Sequence, residues 1–75
     1  MVRQYQVVLE WDPDDELWVT YVPALDHLST YGETREKALE HTREAILGYL
    51  EAAEQEGILI AADRSVELVQ LDVAV

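Results

Sequence analysis

The chain has 75 residues, 49% of them hydrophobic, and 16 acidic residues against five basic ones give it a net charge of −11. A chain this short and this apolar is expected to fold as one domain over residues 1–75, and its negative charge argues against direct binding of nucleic acid. With no cysteine, disulfides are excluded, so we expect the small core to be reinforced by self-association as a dimer or a dimer of dimers.

No basic segment followed by an apolar run opens the chain, and the longest apolar stretch covers only residues 58–62. A helix that crosses a bilayer needs ~20 apolar residues. We therefore expect a soluble, cytoplasmic protein without a membrane partner.

The first predicted element is a strand over residues 4–11, where side chains alternate with the period of a half-buried strand. Turn-forming residues 12–16 separate it from a second alternating run over residues 17–22, so the two predict a hairpin. Pro23 lacks an amide donor and ends this strand, and residues 28–31 predict a short third strand before Gly32.

A long helix follows, and Thr34 has the hydroxyl that suits its N-cap, which places the first helical residue at Arg35. Its apolar stripe has i, i+3, i+4, i+7 spacing and consists of Ala38, Leu39, Thr42, Ala45, Ile46, Tyr49, Leu50 and Ala53. Gly57 suits the left-handed position that ends the helix. Alternation over residues 69–75 then predicts a strand that closes the chain.

The predicted order is β-β-β-α-β, an α+β sandwich in which one helix covers one face of an antiparallel sheet. We expect the odd-numbered face of the hairpin to meet the helix: Tyr5, Val7, Leu9, Trp11, Leu17, Val19 and Tyr21. The even-numbered face keeps three large apolar side chains that we expect a second copy of the chain to cover: Val8, Trp18 and Val22.

Two clusters have residue types used in catalysis or metal binding. Loop carboxylates at Asp12, Asp14 and Asp15 lack the glycine and the final glutamate of an EF-hand loop, and they also suit a plain hairpin turn. The loop residues Asp26, His27 and Ser29 match a hydrolase triad in type but lie too close in sequence to converge. His41 is interpreted as a boundary residue of the helix stripe. We expect no enzyme activity, no metal and no cofactor.

Two segments, YQVVLEWDPDDELWVTYVPAL and TYGETREKALEHTREAILGYLEAAEQEG, resemble the HicB antitoxin family over residues 5–57. The family shows a Y-x-V-V-(I/L)-E strand, a Y-V-P-D-L segment and a G-(D/E)-T-x-x-E-A-L helix start, in this order. The resemblance implies a partial RNase-H-like fold. The chain differs in having Asp26, His27 and Leu28 where the family often has Pro-Gly-Cys, and no C-terminal DNA-binding domain is recognised.

The resemblance implies that the chain binds and occludes a small basic HicA-type ribonuclease toxin, a role that the acidic charge fits. The candidate toxin contacts are acidic residues of the hairpin turn and of the exposed helix face: Asp12, Asp14, Asp15, Glu16, Glu36, Glu40 and Glu44. The alternative is an orphan HicB-like oligomeric scaffold without a toxin. A nuclease is the third interpretation, for which Glu10 is the single plausible metal ligand, and two-metal chemistry needs several.

Overall fold

The computed structural model describes residues 3–58, 60 and 63–75. It contains strands β1 (Val8–Asp12), β2 (Leu17–Val22) and β3 (Leu28–Gly32), a 3-10 turn (Pro23–Leu25) and a single α-helix, α1 (Arg35–Gln55). The three strands form one antiparallel sheet in the order β1-β2-β3. This confirms the predicted α+β class, in which a three-stranded antiparallel sheet precedes one long helix.

The helix begins and ends where the sequence predicts. Thr34 is in the extended conformation, and its hydroxyl accepts a hydrogen bond from the Lys37 amide at 3.0 Å. At the other end Gly57 has φ 70°, its amide bonds the Glu54 carbonyl, and the next amide, of Ile58, bonds the Ala53 carbonyl at 2.8 Å. This pair of bonds is a Schellman motif, which satisfies carbonyl groups that the helix itself leaves free.

The cap at Thr34 gives a testable prediction. Thr34→Ala removes the acceptor for the Lys37 amide, so we expect a loss of about 1 kcal/mol in the free energy of unfolding, measured from urea denaturation midpoints. Thr34→Ser keeps the hydroxyl and is the matched control. Equal midpoints for the two variants would mean that the cap contributes nothing.

The core lies between the helix and one face of the sheet. Its most buried residues come from β2, the 3-10 turn and the helix: Thr20, Val22, Leu25, Ala38, Thr42 and Ala53. The helix approaches most closely at Gly32, where an added Cβ would lie 2.9 Å from the Ala38 Cα. Small residues at this crossing let the helix backbone come close to the end of β3.

Two buried threonines, Thr20 in β2 and Thr42 in the helix, form a hydrogen bond between the sheet and the helix. Thr42 donates to the Ala38 carbonyl of its own helix turn at 2.7 Å, and the Thr20 hydroxyl lies 2.5 Å from the Thr42 hydroxyl. Because each hydroxyl has one proton, Thr20 is then the donor to Thr42, and its 3.4 Å contact with the Thr30 carbonyl is the weaker one. Every buried side-chain nitrogen and oxygen in the described part of the chain has a hydrogen-bond partner.

The predicted assignment of the sheet faces is right for β1 and wrong for β2. Asp12 pairs with Leu17 and Trp11 with Trp18, so odd residues of β1 share a face with even residues of β2. The helix therefore covers Thr20 and Val22, whereas Val19 and Tyr21 lie on the open face together with Val8 and Glu10. Alternation defines two faces within each strand, but the turn length decides how those faces match across a hairpin.

The strand predicted over residues 69–75 does not form, and β1 starts at Val8 rather than at residue 4. Residues 63–75 have no strand pairing, and the large apolar side chains from Leu68 to Val75 are exposed. The alternation of a strand is a side-chain pattern, whereas the strand itself needs a neighbouring backbone to bond. Residues 69–75 have the alternating side chains of a strand but no neighbouring strand to pair with.

Within residues 3–58, 60 and 63–75, no helix combines the length and the apolar character needed to cross a membrane.

Candidate functional site

The acidic hairpin turn projects from one end of the sheet. The Asp12 carboxylate accepts hydrogen bonds from the amides of Asp14 and Asp15 at 3.0 and 3.3 Å, and it thereby shapes the turn. Asp14, Asp15 and Glu16 are exposed, and Glu16 has φ 53°. Of the four predicted toxin contacts in the turn, Asp12 has a structural role, while the other three present free carboxylates to solvent.

Two tryptophans lie directly beside this turn. Trp11 and Trp18 are paired across β1 and β2, with ring centroids 5.5 Å apart and an interplanar angle of 60°. Trp11 remains 47% exposed. Sequence reasoning did not include Trp11 among the contact residues, although its place next to the acidic turn was visible. Partly exposed aromatic residues with charged neighbours are typical anchors of protein interfaces.

The helix begins at the same end of the sheet as the turn. Trp18, the second residue of β2, pairs with Gly32, and α1 starts three residues later, at Arg35. Glu36, in the first helical turn, is therefore the helix carboxylate at the end of the sheet that carries the acidic turn.

The other two predicted helix contacts lie farther along the same row. Glu36, Glu40 and Glu44 are exposed and four residues apart, on the side of the helix opposite the buried Ala38 and Thr42. At 1.5 Å per residue the row extends about 12 Å away from the turn. The acidic residues thus form two surfaces that meet near Glu36, and not one patch.

The three residues predicted for self-association do not share a surface. Val22 is 0% exposed beneath the helix, and Trp18 lies on the helix side of the sheet. Val8 is on the opposite, open face, half-buried. The prediction that Val8, Trp18 and Val22 form one contact surface is wrong. Even-numbered residues of β2 lie on the same face of the sheet as odd-numbered residues of β1, so Trp18 and Val22 lie on the face opposite Val8. Self-association itself stays a prediction.

Two tyrosines donate hydrogen bonds to carboxylates elsewhere in the fold. Tyr49 donates to the Asp26 carboxylate at 2.8 Å and so fastens the loop before β3 to the helix. Tyr21 donates to Glu10 at 2.8 Å on the open face. Each of these hydrogen bonds raises the pKa of its tyrosine above the ordinary value, because the acceptor is a carboxylate that favours the protonated phenol.

The remaining candidates for chemistry bond separate groups. Ser29 donates to the Thr20 carbonyl at 2.8 Å, while the ring of His27 lies 6.2 Å from that of Tyr21. His41 Nδ1 lies 2.7 Å from the Tyr31 carbonyl oxygen. The structure therefore does not bring the side chains of Asp26, His27 and Ser29 into a relay.

Fold and surface together define a class: a small α+β protein whose three-stranded sheet carries one capped helix and an acidic turn. No protein-family model matches the chain. It is similar to the UPF0150 protein Ta0767 of Thermoplasma acidophilum, with 34% identity over 65 residues that span 87% of this chain and 93% of that protein. The chain belongs to the UPF0150 family.

Proposed function

We propose that the chain is a HicB-like antitoxin that acts in the prokaryotic cytoplasm by binding and occluding a small basic HicA-type ribonuclease. The observation that carries this proposal is the exposed acidic turn, Asp14 to Glu16, beside the partly exposed Trp11. The motif resemblance over residues 5–57 supports the same role.

The chemistry of the surface suits a cationic protein partner. A ribonuclease binds phosphates through lysine and arginine side chains, so an acidic protein competes for the same surface. Trp11 supplies apolar area at the centre of such a contact, and the carboxylates around it provide the polar rim. Binding to this surface hides the cationic groups from RNA without any catalytic residue on the antitoxin.

The test is co-expression with a small basic protein encoded beside the gene for this chain. We expect the basic protein alone to arrest growth, and the pair to restore growth and co-purify. The complex should weaken as salt is raised, because opposite charges across the interface are screened. Failure of the neighbour both to co-purify and to be neutralised would contradict the proposal.

Charge variants locate the surface. Replacing Asp14, Asp15 and Glu16 by Asn, Asn and Gln removes three exposed charges, and at ~0.5 kcal/mol each we expect roughly tenfold weaker toxin binding. The matched control changes Glu51, Glu54 and Glu56 to Gln at the far end of the helix, also exposed. If both triple variants bind equally, the acidic turn is not the contact, and only total charge matters.

The second candidate is an orphan HicB-like scaffold that assembles with itself and has no toxin. The exposed apolar side chains of residues 68–75 favour it, since they are available for another chain. Assembly in the absence of any neutralised neighbour would support this function over the antitoxin.

A further inference from the structure

We propose that residues 65–75, here called the C-terminal arm, bind a second copy of the chain by adding a strand to the outer edge of its β1. The arm is rich in valine and leucine, the residue types of strands, and its large apolar side chains from Leu68 onward are exposed, while Val66 is half-buried. Leu68 is 89% exposed, Leu71 79% and Val73 74%. Such a row of apolar side chains on a short segment marks a binding element.

The arm also stands away from the rest of the molecule. The protein extends over 48 × 28 × 20 Å with a radius of gyration of 14.5 Å. A compact chain of this length has a radius of gyration of about 11 Å. The arm therefore adds to the length of the molecule but contributes little to its core. We expect such a segment to be buried against another molecule.

The acceptor surface is the edge of β1 together with the groove beside it. In the described part of the chain β1 pairs only with β2, so the outer edge of β1 presents unpaired backbone groups. Next to it lies a groove of about 910 Å³ between the segment that leads into β1 and the helix. Its apolar lining consists of Tyr5, Val7, Leu39, Ile46, Leu47 and Leu50.

An arm bound on this edge would pair with the unpaired backbone of β1 and also fill the apolar groove beside it. Its backbone pairs with β1, while alternate side chains, Val69, Leu71 and Val73, enter the groove. The alternation predicted from the sequence then has a use, because one row of the arm is buried and the other, with Gln70 and Asp72, faces outward.

Charge at the groove favours the same occupant. Arg3 and Arg43, two of only five basic residues in the chain, line the groove together with a single acidic residue, Asp63. In the arm, Glu67 lies in the same row as Val69, Leu71 and Val73 and so faces the groove, and residues 65–75 contain no basic residue. In a chain of net charge −11 this is a local match of opposite charges between arm and groove.

The residues just before the arm are attached to one side of the groove in their own chain. Asp63 accepts a hydrogen bond from the Gln6 amide at 2.9 Å, and the arm begins two residues later. Exchange of arms between two copies fills both grooves and covers both β1 edges, so the assembly closes as a two-fold dimer. A second copy is therefore the occupant that supplies an arm and requires one.

The first test measures mass in solution by sedimentation equilibrium or native mass spectrometry on the full chain. We expect a dimer or a multiple of it, and we expect Leu71→Asp to dissociate it at least tenfold more readily. Gln70→Asp adds the same charge one residue away, on the outward row, and should keep the assembly. Both side chains are exposed in the isolated chain, so the helical part of the circular dichroism spectrum should be unchanged in both variants, while Leu71→Asp should lose the strand signal of the bound arm. A monomeric native chain, or equal behaviour of the two variants, would overturn the proposal.

The second test shows where the arm binds. The chain has no cysteine, so Val7→Cys and Val73→Cys can be made as two single-cysteine proteins, mixed after dissociation and treated with a short bismaleimide. Arm exchange predicts a cross-linked product that contains one chain of each kind. No mixed product, together with an intrachain link in the Val7→Cys, Val73→Cys double variant, would mean that the arm binds its own groove.

Salt separates this proposal from the antitoxin. Apolar side chains and backbone hydrogen bonds make up most of the arm contact, and salt screens both the attraction of Glu67 to the groove and the repulsion between two acidic chains. The dimer should therefore depend little on salt, whereas a complex with a basic toxin should weaken. The arm proposal does not depend on a toxin, and its tests use the chain alone. Either proposal can therefore fail without the other.

Discussion

Gly32→Ala is expected to destabilise the protein by about 3 kcal/mol, a large share of the stability of a domain of this size. The alanine Cβ would lie against the backbone nitrogen of Ala38, 2.8 Å from the Lys37 carbonyl carbon and 2.9 Å from the Ala38 Cα. All three are backbone atoms of the helix, so no side chain can rotate away. The helix must move off the end of β3 to make room.

The chain contains a matched control for this prediction. Gly48 lies within the helix, and an added Cβ there would have no heavy atom within 4 Å. Gly48→Ala should therefore stabilise the protein by about 1 kcal/mol, because alanine is the better helix former. Urea denaturation of both variants measures the two effects, which have opposite signs. A Gly32→Ala variant as stable as the native protein would show that the helix does not pack this closely.

Val22→Asp is the second change with a large expected effect. Val22 is 0% exposed between the sheet and the helix. A carboxylate at this position would be shielded from solvent, and the buried residues around it in the described part of the chain include no basic side chain. We expect a loss of several kcal/mol, enough to leave a domain of this size largely unfolded at neutral pH. Near-ultraviolet circular dichroism and the fluorescence of the two tryptophans report the loss of packing.

Val8→Asp is the control for Val22→Asp. Val8 pairs with Tyr21 on the open face of the sheet, so the same change there should leave the fold intact. Both valines were predicted from the sequence to lie on one face of the sheet, away from the helix and covered by a second copy of the chain. If both variants stayed folded to the same extent, the face assignment of the structure would be wrong and that of the sequence right.

Much of the fold was predictable because its signals are local. The hydroxyl of Thr34, the position of Gly57 and the apolar stripe of the helix each act within a few residues, and each lies where predicted. Pro23 likewise follows the last residue of β2. The residue types within a few positions of each helix or strand end are enough to predict these features, because a cap or a strand end involves only near neighbours in sequence.

The predictions that failed depend on groups distant in sequence. The face of β2 that meets the helix depends on how Asp12 pairs with Leu17, which alternation within a strand does not specify. A strand over residues 69–75 requires a neighbouring backbone. The candidate site was predictable in part. Asp14, Asp15, Glu16 and the helix row are exposed, and the place of Trp11 beside the turn was visible in the sequence, but its pairing with Trp18 depends on the hairpin register.

The contact between Thr20 and Thr42 has a consequence for how the helix is aligned on the sheet. The helix face that meets the sheet is built mostly from small apolar residues, so Ala38 or Ile46 could occupy the place of Thr42 after a shift of one turn. Either shift would leave the buried Thr20 hydroxyl with only its long contact to the Thr30 carbonyl. A single polar pair, of small net energy, thus selects one alignment from several that bury similar apolar surface.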